Sequence, residues 1–510
     1  MSLPSSVGLP FEMQLGSLDN SLPPDAKSFS VKVQPSNVSQ ISTTLTGLVA
    51  ANNTTTYQPD QPFPSTSVCF DLPAGSSPSL FLDNRFSTLN FRATYTIATI
   101  GTTATYKDCF LRSNANSFFD RAFVTAQNGQ ILEDITNYGM ISDLLINLQM
   151  NNSVKSGTAA QFGFSSTNTV VSNGVAAGPN VEFGTVDIGS QGHKIACLSN
   201  ANAFPAAGQS SSYSYSVPLL SGVLGVLSDK FLNIGRTSKI SLTLNTASVL
   251  PVTLVTVGGA GNVAPTITVT LDNFSLSCEY IDIGLSALSM LDATLVDGKS
   301  YIHGTTYRST STTLPSTVGT TSLLAGIRAS SVKSLFTRFV EGGAASATNA
   351  NGIYNSVCPL LNSINYNIGG IRYPQSNVNP LQFPSQAFRE TQMAIGSFNN
   401  AQFQSAISPA NYCKLSAGGT AQSFTTGTNQ DARWSIGSAP NNQSQFVFGV
   451  CTEIVAKRGL LSGLNCTSAP IFVEMSSAAA PTNVHTCYVI GMLDHVIIHD
   501  VRSGDIQVRI

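Results

Sequence analysis

The chain is 510 residues long, too long for one core of ordinary size, and 42% of it is apolar, enough for about two to four. Charged residues make up only 10%, with a net charge of −2 and a pI near 6.2, against roughly 25% charged residues in a typical soluble domain. This balance excludes general attraction to nucleic acid or to an anionic membrane; a neutral surface of Ser, Thr, Asn and Gln suits packing against other subunits, or the polar loops of a secreted β-rich protein.

The first thirty residues set Glu12, Asp19 and Asp25 against Lys27 alone. No basic arm is present there to condense a genome, and the basic-then-apolar order of a secretory signal is missing. Residues 1–27 are expected to form an arm that orders only against a neighbouring chain or a minor protein. Short strands follow, punctuated by Gly, Pro, Asn and Ser: FSVKVQP from Phe29, SVCFDLP from Ser67 and TLNFRATYTI from Thr88. AFVTAQNGQILEDI, from Ala122, predicts a hairpin in which Asn128-Gly129 supplies the two positive φ angles of a type I′ turn. Asp134–Asn151 predicts a helix capped by Asp134, with Tyr138, Ile141, Leu145 and Leu148 at steps of three, four and three. SSTNTVVSNGVAAGPN, from Ser165, is a low-complexity loop.

VPLLSGVLGVLSDKFLNIG, Val217 to Gly235, is the most apolar long stretch. Its apolar runs, broken by Ser221, Ser228, Asp229 and Lys230, fall short of the ~18 uninterrupted apolar residues of a membrane span, and Gly222 and Gly225 break it too much for a good helix. Such a run packs where backbones approach closely, either as local core at one end of a barrel or against a neighbouring lobe or subunit. Burial of its aliphatic side chains is worth on the order of 10 kcal/mol. Strands resume with KISLTLNTA from Lys239, TITVTLDNFSLSCEYIDI from Thr266 and KSYIHGTTY from Lys299. After the loop EGGAASATNANG, from Glu341, a second helix is expected from Pro384 to Gly396, whose terminal residues suit a helix start and stop. QFVFGVCTEIVA, APIFVEMSS and DHVIIHDV complete the strands.

Nine cysteines, an odd number without a CxxC pair, argue against a disulfide framework or a thiolate metal site. Cys69 and Cys278 lie in strand-like runs and behave as small hydrophobes in a chain folded under reducing conditions. The GxxxxGK[ST], GxSxG, HExxH and DxDxDG signatures are absent. VGGAGNVAP, from Val257, precedes a strand and not a helix. His495 and His499, flanked by Asp494 and Asp500, are the tempting pair, but on a strand they stand about 13 Å apart. One metal with ~2 Å bonds cannot hold both, so they are expected to be solvent-facing or interface histidines. Trp434, the single tryptophan, reads as a loop anchor and not a sugar-stacking platform. No catalytic, cofactor-binding or metal-binding residue is expected.

LLSG occurs at Leu219–Gly222 and again at Leu460–Gly463, each time ahead of a strand. SFFDRAFV from Ser117 is similar to SLFTRFV from Ser334, with Phe119 before Arg121 and Phe336 before Arg338. Two matches in the same order suggest a duplicated β-domain.

The ordered string FSVKVQP, PSLFLDNRFSTLNFRATYTI, SFFDRAFVTAQNGQILEDITNYGMISDLL and SYSVPLLSGVLGVLSDKFLNIGRTSKISLTL continues with SVKSLFTRF, INYNIGGIRYPQ and GLLSGLNCTSAPIFVEM. It resembles the double jelly-roll major capsid proteins of the PRD1–adenovirus lineage, those of virophages and Polinton-like viruses above all. The resemblance runs from about residue 28 to the end; each motif is degenerate, and the specificity lies in their order. It implies an all-β fold of two tandem eight-stranded jelly rolls, residues 28–288 and 289–510, with a few short helices and long loops. It further implies a homotrimeric, six-sided capsomer. Neighbouring capsomers, penton proteins and minor or cement proteins are its implied partners in the icosahedral shell of a DNA virus. The implied place is the virion, assembled inside the host cell without a signal peptide, with no enzymatic activity, no cofactor and no direct nucleic-acid binding. A secreted or surface β-sandwich that binds glycans as an adhesin is the other reading, and a carbohydrate-active enzyme on tandem β-domains a third. Paired cysteines and a signal peptide would favour the former, and carboxylates clustered in one cleft the latter.

Overall fold

The computed structural model describes residues 26–46, 61–72, 75–99, 109–164, 207–228, 231–253, 266–315, 319–341, 361–396, 445–453, 461–477 and 484–510, with short pieces between them. Trp434, Cys413, most of the arm, the loop from Ser165, the loop after Glu341 and the glycine run after Gly258 lie outside the described residues.

Period-two alternation of apolar and polar residues makes the strands. In the third, Leu89, Phe91, Ala93, Tyr95 and Ile97 are buried, while Asn90, Arg92, Thr94 and Thr96 between them are only partly so. The core strands of the first half are β1 (Lys27–Val33), β2 (Ser67–Leu72), β3 (Leu80–Thr99), β4 (Phe119–Ala126), β5 (Ile131–Thr136), β6 (Ser210–Pro218), β7 (Ile240–Thr246) and β8 (Thr266–Asp282). Those of the second are β9 (Lys299–Leu314), β10 (Gly319–Ala325), β11 (Val332–Glu341), β12 (Leu361–Ile368), β13 (Ile371–Val378), β14 (Phe448–Cys451), β15 (Ile471–Ser477) and β16 (His485–Asp500). The first set forms sheets in the orders β1-β8-β3-β6 and β2-β7-β4-β5; the second forms β9-β16-β11-β14 and β10-β15-β12-β13. Adding eight to each strand number of the first half reproduces the second. This is the strand order of a jelly roll, made twice, so the fold is the expected double jelly roll. Buried apolar side chains form one continuous cluster through both rolls.

Helix α1 (Tyr138–Gln149) joins β5 to β6, and α3 (Pro384–Ile395) joins β13 to β14, the same position in each roll. Between the rolls lies α2 (Gly284–Asp292), which the sequence pattern did not single out. The ends of α3 are as expected: Pro384 opens it, and Gly396 closes it at φ 79°. The start of α1 is not. Asp134 belongs to β5, where the Arg121 guanidinium of β4 grips both its oxygens at 2.7 Å. Two charge-assisted bonds across a hairpin outweigh one cap bond, and Asn137, at φ 55°, turns the chain into the helix instead.

The β4–β5 turn also differs from expectation. Of Asn128 and Gly129 only the glycine has a positive φ. The Gly129 N–H donates to the Ala126 carbonyl and the Ala126 N–H to the Gln130 carbonyl, both at 2.9 Å, giving a three-residue loop with a glycine bulge. Asn128 stays out of the left-handed region because its side chain accepts from the Gln130 N–H at 2.9 Å. The type I′ pattern occurs at Gly369-Gly370, φ 59° and 90°, between the paired Ile368 and Ile371.

Of the two internal matches, LLSG is genuine: both copies follow the sixth strand of their roll. The other is coincidence, because SFFDRAFV runs into β4 and SLFTRFV into β11, whose counterpart is β3. All eight described cysteines are free, and burial pushes the Cys278 and Cys487 thiols up to about 12.

Candidate functional site

The stretch after β6 first crosses its own roll. The Leu219 N–H donates to the Ser87 carbonyl of β3 at 3.0 Å, and Asn84 Nδ2 donates to the Val223 carbonyl at 2.9 Å. Val217, Leu219, Leu220, Val223 and Leu224 are buried. Its other side meets the second roll. A Cβ on Gly222 would stand 2.2 Å from His495 Cε1 of β16 and 2.4 Å from the Thr305 carbonyl oxygen of β9, so only glycine permits this approach. The Thr305 N–H then donates to the Leu227 carbonyl at 3.2 Å. Both expectations for the stretch therefore hold: it closes its own barrel and it faces the neighbouring lobe.

Three polar groups fix this seam. The first is Glu133 of β5, 2% exposed. Its carboxylate accepts from the Ser221 hydroxyl, from the Gly222 N–H at 2.9 Å and from the Thr306 hydroxyl of β9 at 2.7 Å. Burying a bare carboxylate costs several kcal/mol, and one of the donors that offsets this belongs to the other roll. The second group is Ser309 of β9, which donates to the Thr136 carbonyl at 2.9 Å and accepts from Asn137 Nδ2 at 2.8 Å. The third is Asp143 on α1, paired at 3.0 Å with Arg338 of β11, both side chains at most 3% exposed. Asp143 also accepts from Ser113 Oγ at 2.5 Å and from Asn147 Nδ2 at 3.0 Å, while Arg338 Nη2 donates to the Tyr354 carbonyl at 3.0 Å.

The histidine pair sits at the same seam. His495 and His499 are buried, the former against Gly222, the latter with Nε2 3.4 Å from the Arg236 carbonyl of the first roll. They are interface histidines and not solvent-facing ones. Burial pushes both below the ordinary imidazole value, against the opposing pull of Glu133 on His495 and of the Arg236 carbonyl on His499. Arg236 in turn is held by Asp292 at the end of α2, at 2.6 and 2.8 Å.

The sequence had drawn attention to Gly222, His495, His499 and Arg338, but gave no reason to place them together. Glu133 and Asp143 went unmarked, since nothing in ILEDIT separates the buried Glu133 from its half-exposed neighbour Asp134 until the second roll is in place. Among the described residues no group of three or more His, Cys, Asp and Glu side chains is gathered as a metal site. No described helix is long and apolar enough to cross a membrane. The chemistry of the site is adhesion between the two rolls.

No protein-family model and no curated protein matches the chain. Among solved structures, a chain of the Sputnik virophage, seen by cryo-electron microscopy, matches with a TM-score of 0.50 at 13% identity, covering 91% of this chain and 89% of that one. In fold the two are similar over nearly their whole lengths. The mavirus major capsid protein matches with a TM-score of 0.47 at 11% identity, covering 100% and 95% of the two chains. For the Faustovirus major capsid protein the values are 0.47, 11%, 92% and 90%.

Proposed function

We propose that this chain is the major capsid protein of an icosahedral DNA virus and acts as a homotrimer. The observation that carries this reading is the seam: two rolls of identical strand order are locked side by side by buried polar bonds, which makes one chain a rigid two-lobed tile. Three such tiles give a six-lobed body that can fill a hexagonal lattice. The likeness in fold to the Sputnik virophage chain supports the same reading. In this proposal the first roll takes residues 28–288 and the second 289–510, with the boundary inside α2 and residues 1–27 as an arm. The chain works through surfaces and not through a catalytic group. Neighbouring capsomers, penton proteins and minor proteins are its partners, and the virion is its place.

Size-exclusion chromatography with light scattering on the full chain tests this. A particle of three times 53.5 kDa with a hexagonal outline in negative stain is the expected result. A stable monomer at micromolar concentration that binds glycans on an array would overturn it in favour of an adhesin.

A further inference from the structure

Where β11 runs between β16 and β14 in the second roll, a lysine meets two carboxylates from the neighbouring segments. Strand β11 carries one residue more than β16 there: Val332 lies opposite Leu493 and Ser334 opposite Met492, so Lys333 is the extra residue of a bulge. A bulge re-aims a side chain. Lys333 Nζ stands 3.4 Å from Asp494 Oδ1 of β16 and 3.4 Å from Oε1 of Glu453, two residues past the end of β14. The Lys333, Glu453 and Asp494 side chains are 20%, 16% and 10% exposed, so the group lies largely out of water.

The two oxygens of Asp494 are held differently. Oδ2 accepts from Ser331 Oγ at 2.7 Å and from the Ser462 N–H at 3.3 Å, while Oδ1 faces the lysine. The donors are themselves fixed: Ser331 Oγ accepts from the Gly463 N–H at 2.9 Å, and the Ser331 carbonyl accepts from the Asp494 N–H at 3.1 Å. Ser462 Oγ donates to Glu453 Oε1 at 2.6 Å, and the Lys333 carbonyl accepts from the Thr452 N–H at 2.8 Å. An amine stands beside a carboxyl group that has two donors on one oxygen, and a second carboxylate lies in reach of the amine protons. These are the nucleophile, the oxyanion donors and the proton carrier of an acyl-transfer site.

We infer that Lys333 and Asp494 condense to an isopeptide bond within the folded chain, with Glu453 carrying the protons. Glu453 takes a proton from Nζ, the free amine attacks Cγ, and the oxyanion on Oδ2 rests against Ser331 Oγ and the Ser462 N–H. The Nζ–Cγ bond forms and the Cγ–Oδ1 bond breaks. Of the three ammonium protons one stays on the amide nitrogen and two leave with Oδ1 as water, the second by way of Glu453, which ends as it began. No oxidant or reductant takes part, and the step happens once per chain. Holding the reacting groups about 3–3.5 Å apart is what makes such a step feasible without an enzyme. The bond ties β11 to β16 in a chain whose eight described cysteines are all free, and an amide, unlike a disulfide, survives a reducing compartment. The inference stands on the second roll alone and not on the oligomeric state.

Mass spectrometry of the folded full-length chain, denatured only for the measurement, tests it. The unsubstituted chain should be lighter than its sequence by one water. Its tryptic digest should contain a branched peptide that joins Lys333 to Asp494, with no cleavage after Lys333. A folded chain at its full sequence mass overturns the inference, as does a water loss that maps to any other residue. Lys333→Arg keeps the charge but should return the chain to full mass. Glu453→Gln should be isolated mostly unlinked, since a positioned proton carrier accelerates such a step by about 10²–10⁴-fold; a Glu453→Gln chain that is fully linked overturns the role given to Glu453. The mass of the unsubstituted chain decides the bond even where a variant fails to fold.

Discussion

Arg338 offers the sharpest test of the seam. Replacing it by Met keeps most of its reach but leaves the Asp143 carboxylate buried with the hydrogen bonds from Ser113 and Asn147 and without this cation. Removing one partner of a buried ion pair costs about 3–5 kcal/mol. The two surviving hydrogen bonds, and Lys155 donating to Asn147 at 2.6 Å one step behind, place the cost near the lower end of that range. For a lobe of this size each kcal/mol moves the melting midpoint by about 2–4 °C, so Arg338→Met should lower it by roughly 6–12 °C. The double variant Arg338→Met with Asp143→Leu removes both charges and should lose clearly less than the sum of the single losses, since neither charge is then left unpaired. Scanning calorimetry reads both effects. A single variant that melts within about 2 °C of the unsubstituted chain, or a double variant whose loss is additive, would show that the pair does not hold the rolls together.

The glycines of the two loops should separate seam from lobe. Gly222→Ala puts a Cβ against His495 and the Thr305 carbonyl of the other roll, whereas Gly463→Ala meets the Val332 carbonyl of its own roll, 2.5 Å away. Overpacking costs about 1–3 kcal/mol in either place, but only Gly222→Ala should speed proteolytic cutting between the rolls near α2; equal cutting of both variants would refute the assignment. The seam should also weaken in acid. His495 and His499 have folded values below the unfolded 6.5, so the unfolded chain takes up protons first as the pH falls. Their contribution is complete above pH 6.5 and declines below it, at up to about 1.4 kcal/mol per pH unit for each histidine. Glu133, Asp494 and His303 act on His495, and Asp500 and Arg236 on His499. The melting midpoint should fall between pH 7.5 and 5.5, and less steeply in a His495→Gln, His499→Gln chain. An unchanged slope in that chain would place the acid sensitivity elsewhere.

The strands were legible because their alternation is local: Leu89, Phe91, Ala93, Tyr95 and Ile97 declare an inward face without reference to any other residue. The ends of α3 were legible for the same reason, since Pro384 and Gly396 act on their own backbone. Where a distant partner decides, local reading failed. Asp134 looks like a cap until Arg121 is found across the hairpin, and Asn128-Gly129 looks like a type I′ turn until the Asn128 side chain takes the Gln130 N–H. The seam is the extreme case. Buried bonds such as Glu133 with Thr306 and Asp143 with Arg338 join residues more than 160 positions apart, and no short window of sequence holds both halves.

The scarcity of charge then has a structural meaning. Three of the chain's few charged side chains, Glu133, Asp143 and Arg338, are buried between the rolls, where directional bonds fix register in a way that an apolar contact free to slide does not. On the sheet that holds β1, β8, β3 and β6, hydroxyl pairs stand across the strands beside the Arg92–Asp272 ion pair: Ser42 with Thr270 at 3.1 Å, Thr44 with Thr268 at 3.2 Å and Thr94 with Ser212 at 2.9 Å. Cross-strand pairs of this kind stabilise a sheet by roughly 0.2–1 kcal/mol each without adding charge. In the proposed capsomer, a face built this way would meet a copy of itself with little like-charge repulsion. Under the capsid reading proposed above, rigid inside and neutral outside is the combination that repeated contact between identical copies would require, and it would account for the composition.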